Sequence, residues 1–225
     1  MQDSLFQAIL HSESAWTNFW TFISGLVGAL VGAGLTYYFQ NRWETLKIQE
    51  ERKGMLCKYS LFIDRIYWMA KKISEQHLES RKQDPIRHIN VPAIHAVFPE
   101  IDINDPAIEL FFLAESNEVD VIGKLLNLKQ SYIGFLDFIK IRNELVVGQL
   151  QEIISRHDIQ NRSLPKNEIL NYVGQPLYGK LESATMAIYN DTDYILSNAD
   201  KAKSELKRIF KKMFPKGKMV EIFNK

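Results

Sequence analysis

The sequence predicts an all-α chain: a single N-terminal transmembrane helix that continues into a cytosolic helical bundle with one long heptad helix. Three observations predict it. The 28 residues from Ser14 to Asn41 contain no charged side chain. Two later stretches, 56–77 and 117–157, place apolar residues at alternating spacings of three and four, the repeat of a helix that packs along one face. Prolines, which break helices, gather in the segment 81–106 and at short turns beyond it.

The first thirteen residues carry only Asp3 and Glu13 and are read as part of a short external tail, 1–18. The transmembrane helix is assigned to 19–41. Its heart, Phe19 to Phe39, reads FWTFISGLVGALVGAGLTYYF. Those residues advance about 31 Å as a helix, against about 30 Å for the hydrocarbon core of a bilayer. Trp16 and Trp20 stand at one end, and Tyr37, Tyr38 and Trp43 at the other, where amphipathic rings favour the headgroup boundary.

Charge sets the expected orientation. All 28 Lys and Arg residues follow position 41, beginning with Arg42, so the tail is at −2 and the remainder has 28 basic against 25 acidic side chains. Basic residues stay on the cytoplasmic side, which places the N-terminus outside and the C-terminal domain in the cytoplasm of the inner (plasma) membrane. A cleaved signal peptide is not expected, because no basic leader or small-residue cleavage site is visible.

Within the anchor, Thr21, Ser24, Gly28, Gly32 and Thr36 form a stripe of small residues, flanked by a second row of Gly25, Ala29 and Ala33. Such rows let helix backbones approach closely in lipid, where no hydrophobic force drives association. A single-pass chain has no second helix to fill the groove, so homo-oligomer formation through the stripe is expected. Glycine and alanine are also simply frequent in membrane helices, and that reading stands beside the first. If the stripe lines a narrow pore, Leu35 and Phe39 are the apolar side chains placed to close it.

Residues 42–53 read as a charged, proline-free helical stalk, and 54–225 as the cytosolic bundle with a basic C-terminal tail. Leu56, Ile63, Ala70 and His77 share one heptad position, and Tyr59, Ile66 and Ile73 the other; Phe62 and Met69 widen the face, and the helix ends near Ser80. The proline-rich segment 81–106 contains INVPAIHAVFP, too apolar for a solvated linker, and so packs across the bundle. Asp105-Pro106 reads as an N-cap followed by proline at the first helical position, opening a helix Ala107–Glu115. From Asn117 to His157, Ile122, Lys129, Leu136, Asn143, Leu150 and His157 occupy one heptad position. Leu125, Tyr132, Ile139, Val146 and Ile153 occupy the other. This is expected to be the longest helix of the cytosolic part. Asn143 in that seam either fixes register or oligomer state or bonds a backbone carbonyl. Short helices follow, from Leu164-Pro165 to Gly174 and from Pro176 onward. A break and a new cap are expected at Asn198–Asp200, then a last basic helix, Lys201–Met213.

Chemistry is hard to find. No phosphate-binding loop, dinucleotide fingerprint, HExxH motif or nucleophile elbow occurs. Cys57 is the only cysteine, which rules out an intrachain disulfide and a cysteine zinc cluster. His88 and His95 lack a carboxylate pattern that would complete a metal site, and His77 and His157 fall on apolar seams. Asp191 and Asp193 do not share a helical face. No catalytic residue, metal or cofactor is assigned, and the near-neutral charge argues against binding duplex nucleic acid. Arg156, Arg162 and Lys166 flank the helix start at Pro165 and are the candidates for holding a phosphate. From Lys201 to Lys225 there are nine basic residues against two Glu. That segment either lies on anionic lipid or is favourable charge at a helix C-terminus followed by a solvated tail.

The anchor SGLVGALVGAGLTYYFQNRWE together with an all-helical remainder resembles bacterial anti-phage membrane effectors, the Hailong-type effector among them. These join an N-terminal transmembrane segment to a helical cytosolic sensor. The resemblance is one of architecture, and no sensor residue carries over by position. It implies an effector that homo-oligomerises and forms a channel or disrupts the membrane when the cytosolic domain senses a signal, a nucleotide or oligonucleotide. The alternative is a constitutive membrane-anchored scaffold or adaptor for a cytosolic partner.

Overall fold

The computed structural model describes residues 2–95, 105–158 and 165–219, with side chains from residue 16. The fold is all-α; among the described residues there is no strand. Its helices are α1 (Gln2–Ile73), α2 (Arg87–Asn90), α3 (Pro106–Glu109), α4 (Phe112–Glu115), α5 (Val119–Leu145), α6 (Gln151–Arg156), α7 (Lys166–Val173) and α8 (Gln175–Met213). A π turn, Ser74–Leu78, and a 3-10 turn, Glu79–Arg81, prolong α1. A second π turn, Val146–Leu150, joins α5 to α6. The chain forms two compact units, 1–51 and 52–225, and their boundary falls inside the expected stalk.

The first unit is helix alone. From Trp16 to Glu51 every side chain except Ile23 is exposed. Here lies the one described helix long and apolar enough to cross a membrane, and none of its apolar stretch is buried within the chain.

The second unit is built on three helical segments: residues 52–73 of α1, α5 and α8. Leu56, Tyr59, Ile63, Ile66, Ala70 and Ile73 bury the face that the heptads predict. Burying one such side chain contributes about 1.5–3 kcal/mol, so this face alone anchors the segment to the core. Lys203 of α8 pairs with Asp64 of α1 at 2.5 Å, and further along Tyr189 donates its hydroxyl to the Leu78 carbonyl at 2.8 Å. As one partner number rises the other falls, so α8 runs antiparallel to this segment. It is antiparallel to α5 as well, with Arg208 beside Glu118 and Thr185 beside Arg142. A smaller core of Leu145, Val146, Leu150, Ile169, Val173, Leu177, Tyr178 and Leu181 joins α5 to α7 and the start of α8.

Several expectations change. One heptad row of α5 is buried as read: Leu125, Tyr132, Ile139 and Val146. The companion row holds only in part. Ile122 and Leu150 are buried as expected, but Lys129, Leu136 and Asn143 are only half-buried and His157 is exposed, whereas Val121, Leu128, Phe135 and Arg142 lie in the core. The true row begins one residue earlier and is hidden from hydropathy because it contains an arginine. Helical structure does run from Val119 to Arg156, widened by a π turn after Leu145. Yet the longest helix of this unit is α8, with 39 residues.

That length comes from an absent break. Asn198 donates to the Tyr194 carbonyl at 2.9 Å, and the Ser197 hydroxyl turns back onto the Asp193 carbonyl. Both side chains bond their own helix instead of capping a new one. Ile195, Ala199, Ala202, Leu206 and Ile209 continue a single buried face across the site. The helix expected over Ala107–Glu115 is divided into α3 and α4 around Leu110 and Phe111. Its start is as read: Asp105 accepts from the Ala107 amide at 2.9 Å, with Pro106 at the first helical position. Gly174, at φ +78°, separates α7 from α8 where a side chain would be strained.

Candidate functional site

The anchor stripe keeps its geometry. In a helix, Ser24, Gly28, Gly32 and Thr36 advance only about 40° per step of four, so they share one side, with Leu26 and Leu30 on the other. A Cβ built on Gly25, Gly28, Gly32 or Gly34 meets nothing within 4 Å. Each glycine costs a helix about 0.5–1 kcal/mol relative to alanine, and no neighbour among the described residues requires any of the four. The stripe hydroxyls bond inward: Thr21 to the Thr17 carbonyl at 2.8 Å, Ser24 to the Thr21 carbonyl at 2.9 Å and Thr36 to the Gly32 carbonyl at 2.8 Å. Their donors are thus satisfied without water, which suits lipid, and oxygen lone pairs remain outward. Leu35 and Phe39 are exposed.

Of the expected phosphate-holding trio, Arg156 and Lys166 fall among the described residues. Arg156 ends α6 and pairs with Glu152 four residues earlier at 2.6 Å. Lys166 opens α7 with its ammonium 5.7 Å from the Tyr178 ring centre. Arg162 lies outside the described residues.

A site that sequence reasoning missed lies where the segment 84–94 crosses α5 and α8. Its centre is Arg142, 0% exposed and the largest fully buried side chain. Among the described residues the guanidinium meets no carboxylate. Its Nε donates to the Thr185 hydroxyl at 3.0 Å, Nη1 to the Pro92 carbonyl at 2.8 Å, and Nη2 to the Val91 carbonyl and, at 3.3 Å, to that of His88. Burial draws its pKa down to about 10, which leaves it protonated at neutral pH. One residue on, Asn143 accepts from the Ile94 amide at 2.8 Å and donates to the Ile94 carbonyl at 2.9 Å. Arg142 and Asn143 therefore clamp the backbone of 88–94, with Val91 and Ile94 buried beneath it. Of the two roles open for Asn143, backbone bonding is the one observed. The sequence signal was present, since Arg142 sits three after Ile139 and four before Val146, on the seam.

Beside the clamp is a cleft of about 210 Å³ lined by Asp84, Pro85, Arg87, His88, Glu182, Thr185 and Met186. His88 is 3% exposed, and its Nε2 is buried without a hydrogen-bond partner among the described residues. Its ring stands edge-on to Tyr178 at 4.2 Å. Burial holds His88 below the usual imidazole range, so it is neutral at physiological pH. Asp84 accepts from Asn90 at 2.7 Å and from the Ile86 amide at 2.9 Å, and these bonds hold its carboxyl below the ordinary value. Asp191 is half-buried, which raises its pKa, and Asp193 is exposed beside Lys82 at 3.5 Å. Among the described residues no three His, Cys, Asp or Glu side chains are grouped to hold a metal ion.

Comparison with protein families, with curated proteins and with solved structures finds no match for this chain.

Proposed function

We propose that the chain is a single-pass membrane protein that assembles with copies of itself through the stripe Thr21, Ser24, Gly28, Gly32 and Thr36. In this reading its N-terminus is outside and its helical unit lies in the cytoplasm, where it controls the permeability of the inner membrane. One observation carries the reading: four glycines in an unburied apolar helix for which nothing within the chain accounts. A second helix packed on that side supplies the reason, because small residues allow the close backbone approach on which association in lipid depends. The charge change at Arg42 supports the orientation. The resemblance to anti-phage effectors supplies the trigger, a nucleotide or oligonucleotide signal, and a resting pore closed by Leu35 and Phe39.

The test is membrane depolarisation in cells that express the chain, with and without phage infection. Signal-dependent depolarisation is expected, and a flexible Gly-Ser segment inserted after Glu50 should abolish it while leaving assembly intact. Depolarisation that survives the insertion contradicts transmission through the stalk. If the wild-type chain causes none under any trigger, it acts as a membrane-anchored scaffold.

A further inference from the structure

We infer that the helical unit carries a second membrane contact: the end of the bundle at Arg52 docks on an anionic lipid surface through Ile108 and Phe111 within a basic collar. The inference rests on the membrane-anchored reading above. Ile108 is 77% and Phe111 68% exposed, the two most exposed large apolar side chains of this unit. They project from well-held backbone. Leu110 and Leu113, on either side of Phe111, are fully buried, and α3 and α4 pack on α5. Pairs across to α1 fix their place: Lys58 with Glu109 at 2.8 Å and Arg52 with Glu115 at 3.1 Å, with the Arg52 guanidinium 5.1 Å from the Phe112 ring centre.

The C-terminal end of α8 arrives at the same place. The Glu118 amide donates to the Leu113 carbonyl at 3.0 Å, and its carboxylate holds Arg208 at 2.5 Å and Lys212 at 3.1 Å. Lys211, between them on α8, is exposed, as are Lys216 and Lys218 on the following turn, which Gly217 closes against Phe210 and Phe214. The acidic side chains of this end are largely engaged. Glu109, Glu115 and Glu118 are in the pairs above, Glu205 pairs with Lys124, and Asp105 caps α3. Among the described residues this end presents Ile108, Phe111 and three lysines outward, a composition that suits anionic interfaces.

The chain also limits how far this end can be from a bilayer. Asn41, the last residue of the uncharged stretch, and Arg52 are eleven positions apart. That is about 17 Å of helix, and under about 40 Å even fully extended.

The experiment uses the full chain with Cys57→Ser and a nitroxide on Ile108→Cys, reconstituted in nanodiscs of phosphatidylcholine alone or with phosphatidylglycerol. Collisions with oxygen, which concentrates in lipid, and with a water-soluble nickel chelate are read for each. Docking predicts that phosphatidylglycerol raises oxygen and lowers nickel accessibility at this label, while a label on Met186→Cys, in the cleft, does not change. Adding Lys211→Glu, Lys216→Glu and Lys218→Glu should shift the docking equilibrium by at least about a hundredfold toward the water-exposed state. A label that stays water-exposed in both lipids overturns the inference. One shielded from both reagents in both lipids also overturns it, in favour of a protein contact. Retention of the chain in the nanodiscs is read separately: a chain that is not retained overturns the membrane-anchored reading as well.

Discussion

Two stretches of α1 use similar apolar residues to opposite ends. Between Phe19 and Phe39, Phe22, Leu26, Leu30 and Leu35 are exposed on all sides. Between Leu56 and Ile73, apolar side chains lie on one face and are buried, while Arg65, Trp68 and Lys72 are exposed. Helix propensity alone does not distinguish them. The difference is the pattern. A one-sided stripe can be covered by α5 and α8, whereas the all-round apolar surface is left uncovered among the described residues and is long and apolar enough to cross a membrane. Polar groups divide the same way. Anchor hydroxyls are satisfied by their own helix, and the bundle's buried arginine is satisfied by a crossing segment and a hydroxyl from α8.

The sharpest way to break this contrast is Arg142→Ala. Four acceptors, three of them buried, lose their donor and a cavity opens, so a loss on the order of 3–5 kcal/mol is expected. Thermal unfolding followed by circular dichroism measures it. Arg142→Lys should recover only part, because an ammonium does not reproduce the fork. Removal of the stripe hydroxyl with Ser24→Ala should leave the same melting curve unmoved.

Lys203→Met is next. Asp64 is buried, Lys203 bonds its Oδ1 and its Oδ2 has no partner among the described residues, so stranding its charge should cost about 3 kcal/mol. Asp64→Leu added to Lys203→Met should restore most of that loss, and a double variant no better than the single one contradicts the pairing. Asn143→Leu, which deletes both bonds to Ile94, should cost about 1–2 kcal/mol and speed amide exchange at Ile94.

The smallest effect is at the exposed cluster around Glu118. Arg208 and Lys212 hold its carboxyl down from 4.5 to about 2. A depressed carboxylate contributes stability that is present above its unfolded pKa and is lost as pH falls through the folded one. Acid melting between about pH 4.5 and 2 should therefore flatten in Glu118→Gln, and added salt should mask the difference.

Much of this was legible in the sequence. An uncharged 28-residue run and the seam Leu125, Tyr132, Ile139, Val146 are patterns of period and charge, which one sequence displays. The clamp was not, because hydropathy places arginine outside. A core position for Arg142 depends on acceptors about fifty residues away, at His88, Val91 and Pro92. The false break at Asn198 has a similar cause. Asn, Ser and Asp favour caps when judged locally, but here the buried face formed by Ala199 and Ala202 keeps the helix going. The stripe was legible as composition, and its openness within the chain adds what composition lacks.

In the proposed assembly this stripe meets another copy. The most direct test is the subunit count of the full chain in lipid nanodiscs, read by single-molecule photobleaching. Wild type should show two or more copies per assembly. Gly28→Leu with Gly32→Leu should shift the population toward one, and Leu26→Phe with Leu30→Phe, on the opposite side, should leave it unchanged. A wild-type chain that bleaches in single steps, or equal loss in both variants, contradicts the claim.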